Sequence, residues 1–400
     1  MSSSALFVLG VVLFALGIAV SIALHEAGHM WTAKAFGMRV RRYFIGFGPK
    51  VFSFRRGETE YGLKAIPAGG FCDIAGMTAL DEVTPEEAPR AFFRKPTWQR
   101  VVVLSAGSIT HFVIGMILVY ALAVSAGLPN LRNTPVVGEL SCAANQVSPT
   151  ALAPCAPGVP APALAAGLQS GDRVVSVAGT PTPTWPDAVT AIRAAGGPTP
   201  VVVDRGGQEI GLTVDVARVS RLDASGAAVT VGAIGAGQRT IFEYGPLTAV
   251  PATVDFTGQM FGNVWQGILS FPERIPALWK ALSGGERDEN TPVSVVGASI
   301  IGGDAAERGL WEYFVLLLAL LNFFVGVFNL LPLLPLDGGH IAVNLYERVR
   351  DTVRARLGKP KMPPVDYTRL LPLTYFVILV GGAVSLLTLA ADIVNPIRLG

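Results

Sequence analysis

Two histidines four residues apart, with a glutamate after the first, close an uncharged apolar run from Ala5 to Leu24: His25-Glu26-Ala27-Gly28-His29. On a helix, side chains at that spacing share one face, so both imidazoles can reach a single metal ion while Glu26 stays within reach of a water on it. The chemistry this suits is zinc-assisted hydrolysis with Glu26 as general base. With four His and fifteen Glu in 400 residues, composition alone seldom produces the pattern. Burying two imidazoles and a carboxylate beside hydrocarbon is expensive, so such residues in a span point to function.

Catalytic zinc takes three protein ligands and keeps one position open, and the first run supplies two. The other histidines are His111 and His340, and no third His follows at the spacing of an extended zincin motif. A carboxylate is therefore the better candidate. The apolar run from Tyr313 leads into Leu336-Asp337-Gly338-Gly339-His340, where Asp337 is the only acid. Alone, Asp-Gly-Gly after a span reads as a turn or a helix cap. Beside an intramembrane His-Glu-His it becomes the expected third ligand, with His340 and then His111 as the alternatives.

The elements that must position these residues are membrane spans. Apolar residues make up 51% of the chain and charged ones 15%, and the mean hydropathy is +0.49, values foreign to a soluble enzyme. Four charge-free stretches have spanning length: Ala5 to Leu24, Val101 to Gly127, Tyr313 to Leu336 and Leu371 to Ala391. Twelve Lys and Arg lie between the first two and seven between the last two, whereas the central segment has eleven over about 185 residues and more acids. The positive-inside rule then puts the first and third loops in the cytoplasm, and the central segment and both termini outside. No Lys or Arg precedes Lys34, so the basic start of a cleavable signal is missing and the first span is expected to be retained. The net charge of +2 says little by itself, and no direct nucleic-acid partner is expected.

Along the chain, the pattern divides into a first span with the metal motif (1–33), a basic loop (34–100), a second span (101–127), a soluble domain (134–218), amphipathic interfacial helices (240–312), a third span with the third ligand (313–340), a basic loop (341–370) and a fourth span (371–392). Within the first loop, Val51 to Arg55 and Glu60 to Ile66 read as a hairpin around Arg56-Gly57-Glu58, with Gly46 to Pro49 as a breaker and Pro67, Gly69 and Gly70 ending the pairing. An open strand edge beside an active site can accept an extended substrate. In the soluble domain, Gly167 to Gly179 has the turn, strand and turn of a PDZ fold, Trp185 to Ala195 its helix, and Val201 to Val203 with Ile210 to Val214 a hairpin around Arg205-Gly206-Gly207. Cys142 and Cys155 share the external segment, where an oxidising compartment lets them pair, and Cys72 stands alone on the other side.

Taken together, these motifs resemble the site-2 protease family of intramembrane zinc metalloproteases, in its bacterial RseP type with an extracytoplasmic PDZ domain. The resemblance rests on His-Glu-x-x-His in the first span, Gly46-Phe47-Gly48-Pro49 and Gly69-Gly70-Phe71 between spans, the external PDZ, and Asn329 eight residues before Asp337-Gly338. It implies a polytopic α-helical membrane protein of four spans, with a cytoplasmic-side membrane-associated β-hairpin and an extracytoplasmic PDZ-like α+β domain. By position it implies that His25, His29 and Asp337 bind Zn2+, that Glu26 is the base, and that Asn329 and the Gly69-Gly70-Phe71 strand hold substrate backbone. The substrate it implies is a single-span protein, commonly an anti-sigma factor, first shortened by a site-1 protease, in a multi-pass protein of the bacterial inner membrane. One element departs. The family's Ala-Gly-Pro-x-x-Asn is here Ala106-Gly107-Ser108-Ile109-Thr110-His111, which offers His111 for a supporting hydrogen bond in place of the Asn. The chain also shows one PDZ unit where RseP-type proteins often carry two. Two other classes, a membrane metal transporter and an inactive PDZ-bearing scaffold, lack a use for the complete set of residues.

Overall fold

The computed structural model describes residues 2–78, 81–223, 225–285, 287 and 291–399. They form two compact units, one of residues 1–122 with 248–400 and one of residues 123–247.

The first unit begins with α1 (Ser3–Ala35), capped by the Ser2 side chain, which accepts from the Ala5 amide. Beyond it, β1 (Val40–Arg56) and β2 (Thr59–Ile74) form one sheet. The expected breaker at Gly46 to Pro49 bends β1 without ending it, and pairing continues past Gly69 and Gly70 to Ile74. Residues 42–45 therefore carry two sets of partners, 60–63 on one side and 70–73 on the other, and residues 50–56 pair outside 59–64. The expected simple hairpin is a sheet of four segments, in the order 50–56, 59–66, 40–47, 70–74. Glycine is what permits the bends: Gly46 and Gly48 have φ of 89° and 79°, and Gly69 of 138°. Val40 and Ile74 of this sheet pack with Ala27, Met30 and Ala33 of α1, with Phe92, and with Val103 and Leu104 of α2 (Thr97–Ser125). A cluster of ion pairs ties the hairpin turn to the segment that follows the sheet: Glu58 accepts from Arg39 and Arg90, and Glu87 from Arg41.

The second unit is wider than the expected 134–218. Its sheet holds β3 (Arg173–Val177), β4 (Thr180–Pro181), β5 (Gly197–Arg205), β6 (Gln208–Leu222) and β7 (Ala228–Ala233), in the order β7-β6-β5-β3-β4. α3 (Trp185–Ala194) has a capping box between Thr184 and Asp187. The β5–β6 turn at Gly206-Gly207 has positive φ at both residues, as a tight hairpin requires. Val174, Val177, Val201, Val203, Val214 and Val216 alternate inward to make the core with Leu168, Ala188 and Ile192. Strand Ala236–Gln238 returns to pair with Val137–Leu140, which is why the unit extends past residue 218. Cys142 and Cys155 are joined by a disulfide, with their Cα atoms 5.7 Å apart.

The chain then re-enters the first unit through α4 (Pro246–Leu269), α5 (Phe271–Leu282) and α6 (Val295–Glu307). The expected run of interfacial helices over 240–312 fails at α6. This helix is rich in small residues and lies buried against α1, where a Cβ on Gly10 would come within 2.5 Å of Ala306 Cβ and 2.9 Å of Gly303 Cα. Small residues let the two backbones approach as membrane helices do. α7 (Trp311–Asn329) is the third apolar helix, and it ends earlier than the expected run to Leu336. Pro332 and Pro335 lack the amide a helix needs, so residues 330–336 leave the helix and α8 (Asp337–Arg356) starts afresh. α9 (Leu371–Val394) completes the chain. Among the described residues, four helices are long and apolar enough to cross a membrane: α1, α2, α7 and the segment Tyr367–Val394 that contains α9.

Candidate metal centre

α1 sets His25 and His29 on one face by their spacing, and α8 brings Asp337 to them from the far end of the sequence. Asp337 sits in the first turn of α8, whose N-cap is Leu336, and its carboxylate does not cap that helix. Instead Asp337 Oδ2 lies 3.4 Å from His25 Nε2 and 3.3 Å from His29 Nε2, and the two Nε2 atoms are 3.2 Å apart. Both imidazoles are buried and the carboxylate nearly so. His29 Nδ1 lies 2.7 Å from the Val103 carbonyl; donating there turns the Nε2 lone pair inward. His25 Nδ1 is buried without a hydrogen-bond partner.

Two imidazole nitrogens and a carboxylate oxygen converging in a buried site are a donor set that suits a metal cation. Ligand bonds of 2.0–2.1 Å in a tetrahedron put neighbouring ligand atoms about 3.3–3.4 Å apart, so the three distances fit zinc. Among the described residues, this is the one group of three or more His, Cys, Asp and Glu side chains close enough to share a metal ion.

Glu26 follows His25 on α1 and lies under the 70–74 edge of the sheet. A Cβ on Gly70 would stand 2.9 Å from Glu26 Cγ, so only glycine lets the strand pass this closely, and the Cys72 amide faces the carboxylate. The Tyr43 hydroxyl donates to the Ala23 carbonyl of α1 at 2.6 Å, pinning the sheet two residues before His25. Burial pushes that hydroxyl up to about 12, so it stays a donor through the physiological range. Burial also pushes the Cys72 thiol up, which keeps it unreactive. Phe71 stacks on Phe44 and Phe47.

The remaining sequence candidates fall in different places. The His111 ring lies 4.9 Å from that of His25, and its Nδ1 is 2.9 Å from Asn322 Oδ1. Asn322 Nδ2 donates to Leu318 O, so its Oδ1 is the acceptor and His111 the donor. The ring thus links α2 to α7 beside the metal cluster without joining it. His340 stacks on Tyr367, with Nδ1 3.3 Å from the Tyr367 hydroxyl, and is not in the cluster either. Asn329 is the half-buried last residue of α7.

Sequence reasoning missed the glycines that make room for the centre. A Cβ on Gly107 would sit 2.5 Å from His25 Cε1 and from His29 Nε2, and one on Gly28 would sit 2.6 Å from Thr110 Oγ1 and 2.8 Å from Ala106 O. Gly338 and Gly339 are equally constrained against the carbonyls of Leu330, Leu331 and Leu333. A glycine inside an apolar span is the signal that could have found the first two.

Four helices of spanning length and a buried His-His-Asp cluster with a neighbouring glutamate define a membrane metallopeptidase architecture. The chain belongs to peptidase family M50, whose model matches residues 13–360. It is 49% identical over 403 residues to the zinc metalloprotease Rip1 of Mycobacterium tuberculosis, across 98% of this chain and 99% of that protein. Rip1 of Mycolicibacterium smegmatis is 48% identical over 405 residues, with the same coverage. The regulator of sigma-E protease RseP of Salmonella typhimurium is 27% identical over 425 residues, covering 84% of this chain and 90% of its own.

Proposed function

We propose that this protein is an intramembrane zinc endopeptidase that cuts the membrane segment of single-span proteins, anti-sigma factors among them, after a site-1 protease has shortened them. The observation that carries this reading is the convergence of His25 Nε2, His29 Nε2 and Asp337 Oδ2 to within 3.4 Å, with Glu26 beside them on a helix of spanning length. His25, His29 and Asp337 hold the zinc. When bound, zinc polarises the scissile carbonyl and lowers the pKa of water at the site. Glu26 takes the proton on its carboxylate and delivers it to the departing amide nitrogen.

A helical substrate hides its carbonyls in hydrogen bonds, so it has to unwind before it can be cut. The 70–74 segment runs past Glu26 and, among the described residues, pairs on its 40–45 side alone, so its other edge offers backbone partners to an extended stretch of substrate. Gly69 and Gly70 keep that edge close to Glu26, Phe71 braces it, and Asn329 hydrogen-bonds substrate backbone from α7. The distribution of basic residues supports a cytoplasmic sheet, an extracytoplasmic PDZ-like second unit and external termini in the bacterial inner membrane.

The test uses purified zinc-loaded protein and a single-span substrate in detergent or liposomes. Wild type is expected to cleave within the span, and Glu26→Gln to retain its zinc and lose at least about 100-fold in rate. Turnover by zinc-loaded Glu26→Gln would remove the assigned base. Metal flux without cleavage would instead favour a transporter.

A further inference from the structure

Beyond the metal centre, α8 carries an apolar face that no described residue covers. Leu345, Val349 and Val353 recur every fourth residue and so share one side of the helix, and they are 47%, 61% and 49% exposed. Tyr346 widens this stripe and Leu357 extends it. The opposite side is committed to the protein, since Asn344 is buried and Glu347 pairs with Arg100 at 3.6 Å, while Ile341, one turn before Leu345 on the stripe's own side, packs on the core around Phe92 and anchors the start of the helix. The exposed stripe therefore cannot turn inward. Arg348, Arg356, Lys359 and Lys361 stand exposed around it. Arg350 and Arg354 donate to the carbonyls of Met362, Pro363 and Pro360, which folds the following segment back along the helix.

What covers the stripe follows from where the chain goes. α8 begins eight residues after α7 ends, and the Tyr367–Val394 segment, also of spanning length, begins eleven residues after α8. A helix tethered so closely to two spans stays at the bilayer surface. An apolar stripe flanked by Arg and Lys suits anionic lipid there. We propose that α8 lies in the plane of the membrane, with Leu345, Val349 and Val353 in the boundary between headgroups and acyl chains and the four flanking cations on anionic headgroups. Because α8 begins at Asp337, this seating sets the depth at which that carboxylate meets the His pair.

The test is a nitroxide at Val353→Cys, with Val349→Cys as a second site, in full-length Cys72→Ser protein in lipid nanodiscs. In phosphatidylcholine with phosphatidylglycerol, collisions with oxygen are expected to exceed those with a water-soluble nickel chelate. The label should lie on the order of 5–10 Å below the headgroup surface. Omitting phosphatidylglycerol should move it outward, and the variant carrying R348Q, R356Q, K359Q and K361Q should lose that lipid dependence. Nickel collisions dominating at both sites, or low access to both reagents as in a protein contact, would overturn the lipid assignment. A depth shift with phosphatidylglycerol that survives the fourfold substitution would overturn the role of the cations.

Discussion

At the scale of single residues, the centre is as much a matter of absent atoms as of ligands. Two imidazoles fill the space in front of Gly107, and a methyl group there would overlap them at 2.5 Å. Gly107→Ala should therefore displace the rings from their convergent geometry, lowering zinc content and cleavage while the four spans remain folded. Zinc analysis beside circular dichroism checks this. Asp337→Ala separates two roles that sequence leaves open. Loss of a ligand should lower zinc occupancy and activity together, whereas loss of a helix cap would cost about 1 kcal/mol of stability and leave zinc in place. Because the Asp337 side chain approaches both imidazoles and the cap is Leu336, the first outcome is expected.

At the scale of elements, the sheet beside α1 is held from two sides. Tyr43 pins it to the Ala23 carbonyl, and Glu58 clamps the turn between β1 and β2 to Arg90 and Arg39. Those guanidiniums, Arg90 foremost, hold the Glu58 carboxyl below its ordinary range. A carboxyl whose pKa is lowered on folding stabilises the fold above its unfolded pKa, near 4.3, and that contribution disappears as pH falls through the folded value. Amide protection in the 56–60 turn, taken relative to intrinsic exchange at each pH, should accordingly be high at neutral pH and fall in acid. In Glu58→Gln the protection should be lower at neutral pH and lose that pH dependence. Unchanged protection in the variant would mean that Tyr43 and the apolar packing suffice. The same scale explains the short third span. The apolar run continues to Leu336, but its two prolines end the helix at Asn329, and the break frees the chain to start α8 with Asp337 aimed at α1.

For the molecule as a whole, the topology proposed above from the charge pattern puts the basic 34–100 loop in the cytoplasm and the 123–247 segment outside. A membrane-impermeant maleimide applied to intact cells should label a cysteine placed at exposed Ser225 and leave one at exposed Arg55 unlabelled until the cells are opened. The reverse pattern would invert the orientation. The disulfide is consistent with the proposed outward placement, because both cysteines belong to that unit and the free thiol of Cys72 belongs to the sheet beside α1.

The sequence by itself determined the class of chemistry and the apolar stretches long enough to span a membrane. His25, Glu26 and His29 are local on one helix, and apolar runs and basic loops are one-dimensional signals that need no partner to be read. The turn and helix of the second unit were legible for the same reason, since Gly206-Gly207 and the Trp185 to Ala195 pattern are local, and the structure has the turn there and the helix over Trp185–Ala194. Tertiary structure decided what depends on distant segments meeting. It alone brought Asp337 against the His pair across more than 300 residues, and set His111 on Asn322 and His340 on Tyr367. It also folded one hairpin into four sheet segments, buried α6 against α1 and extended the second unit to residue 247. The physical reason is that helix periodicity and turn preference are encoded within a few neighbours, whereas close packing and metal geometry are satisfied only when several chain segments fit the same space.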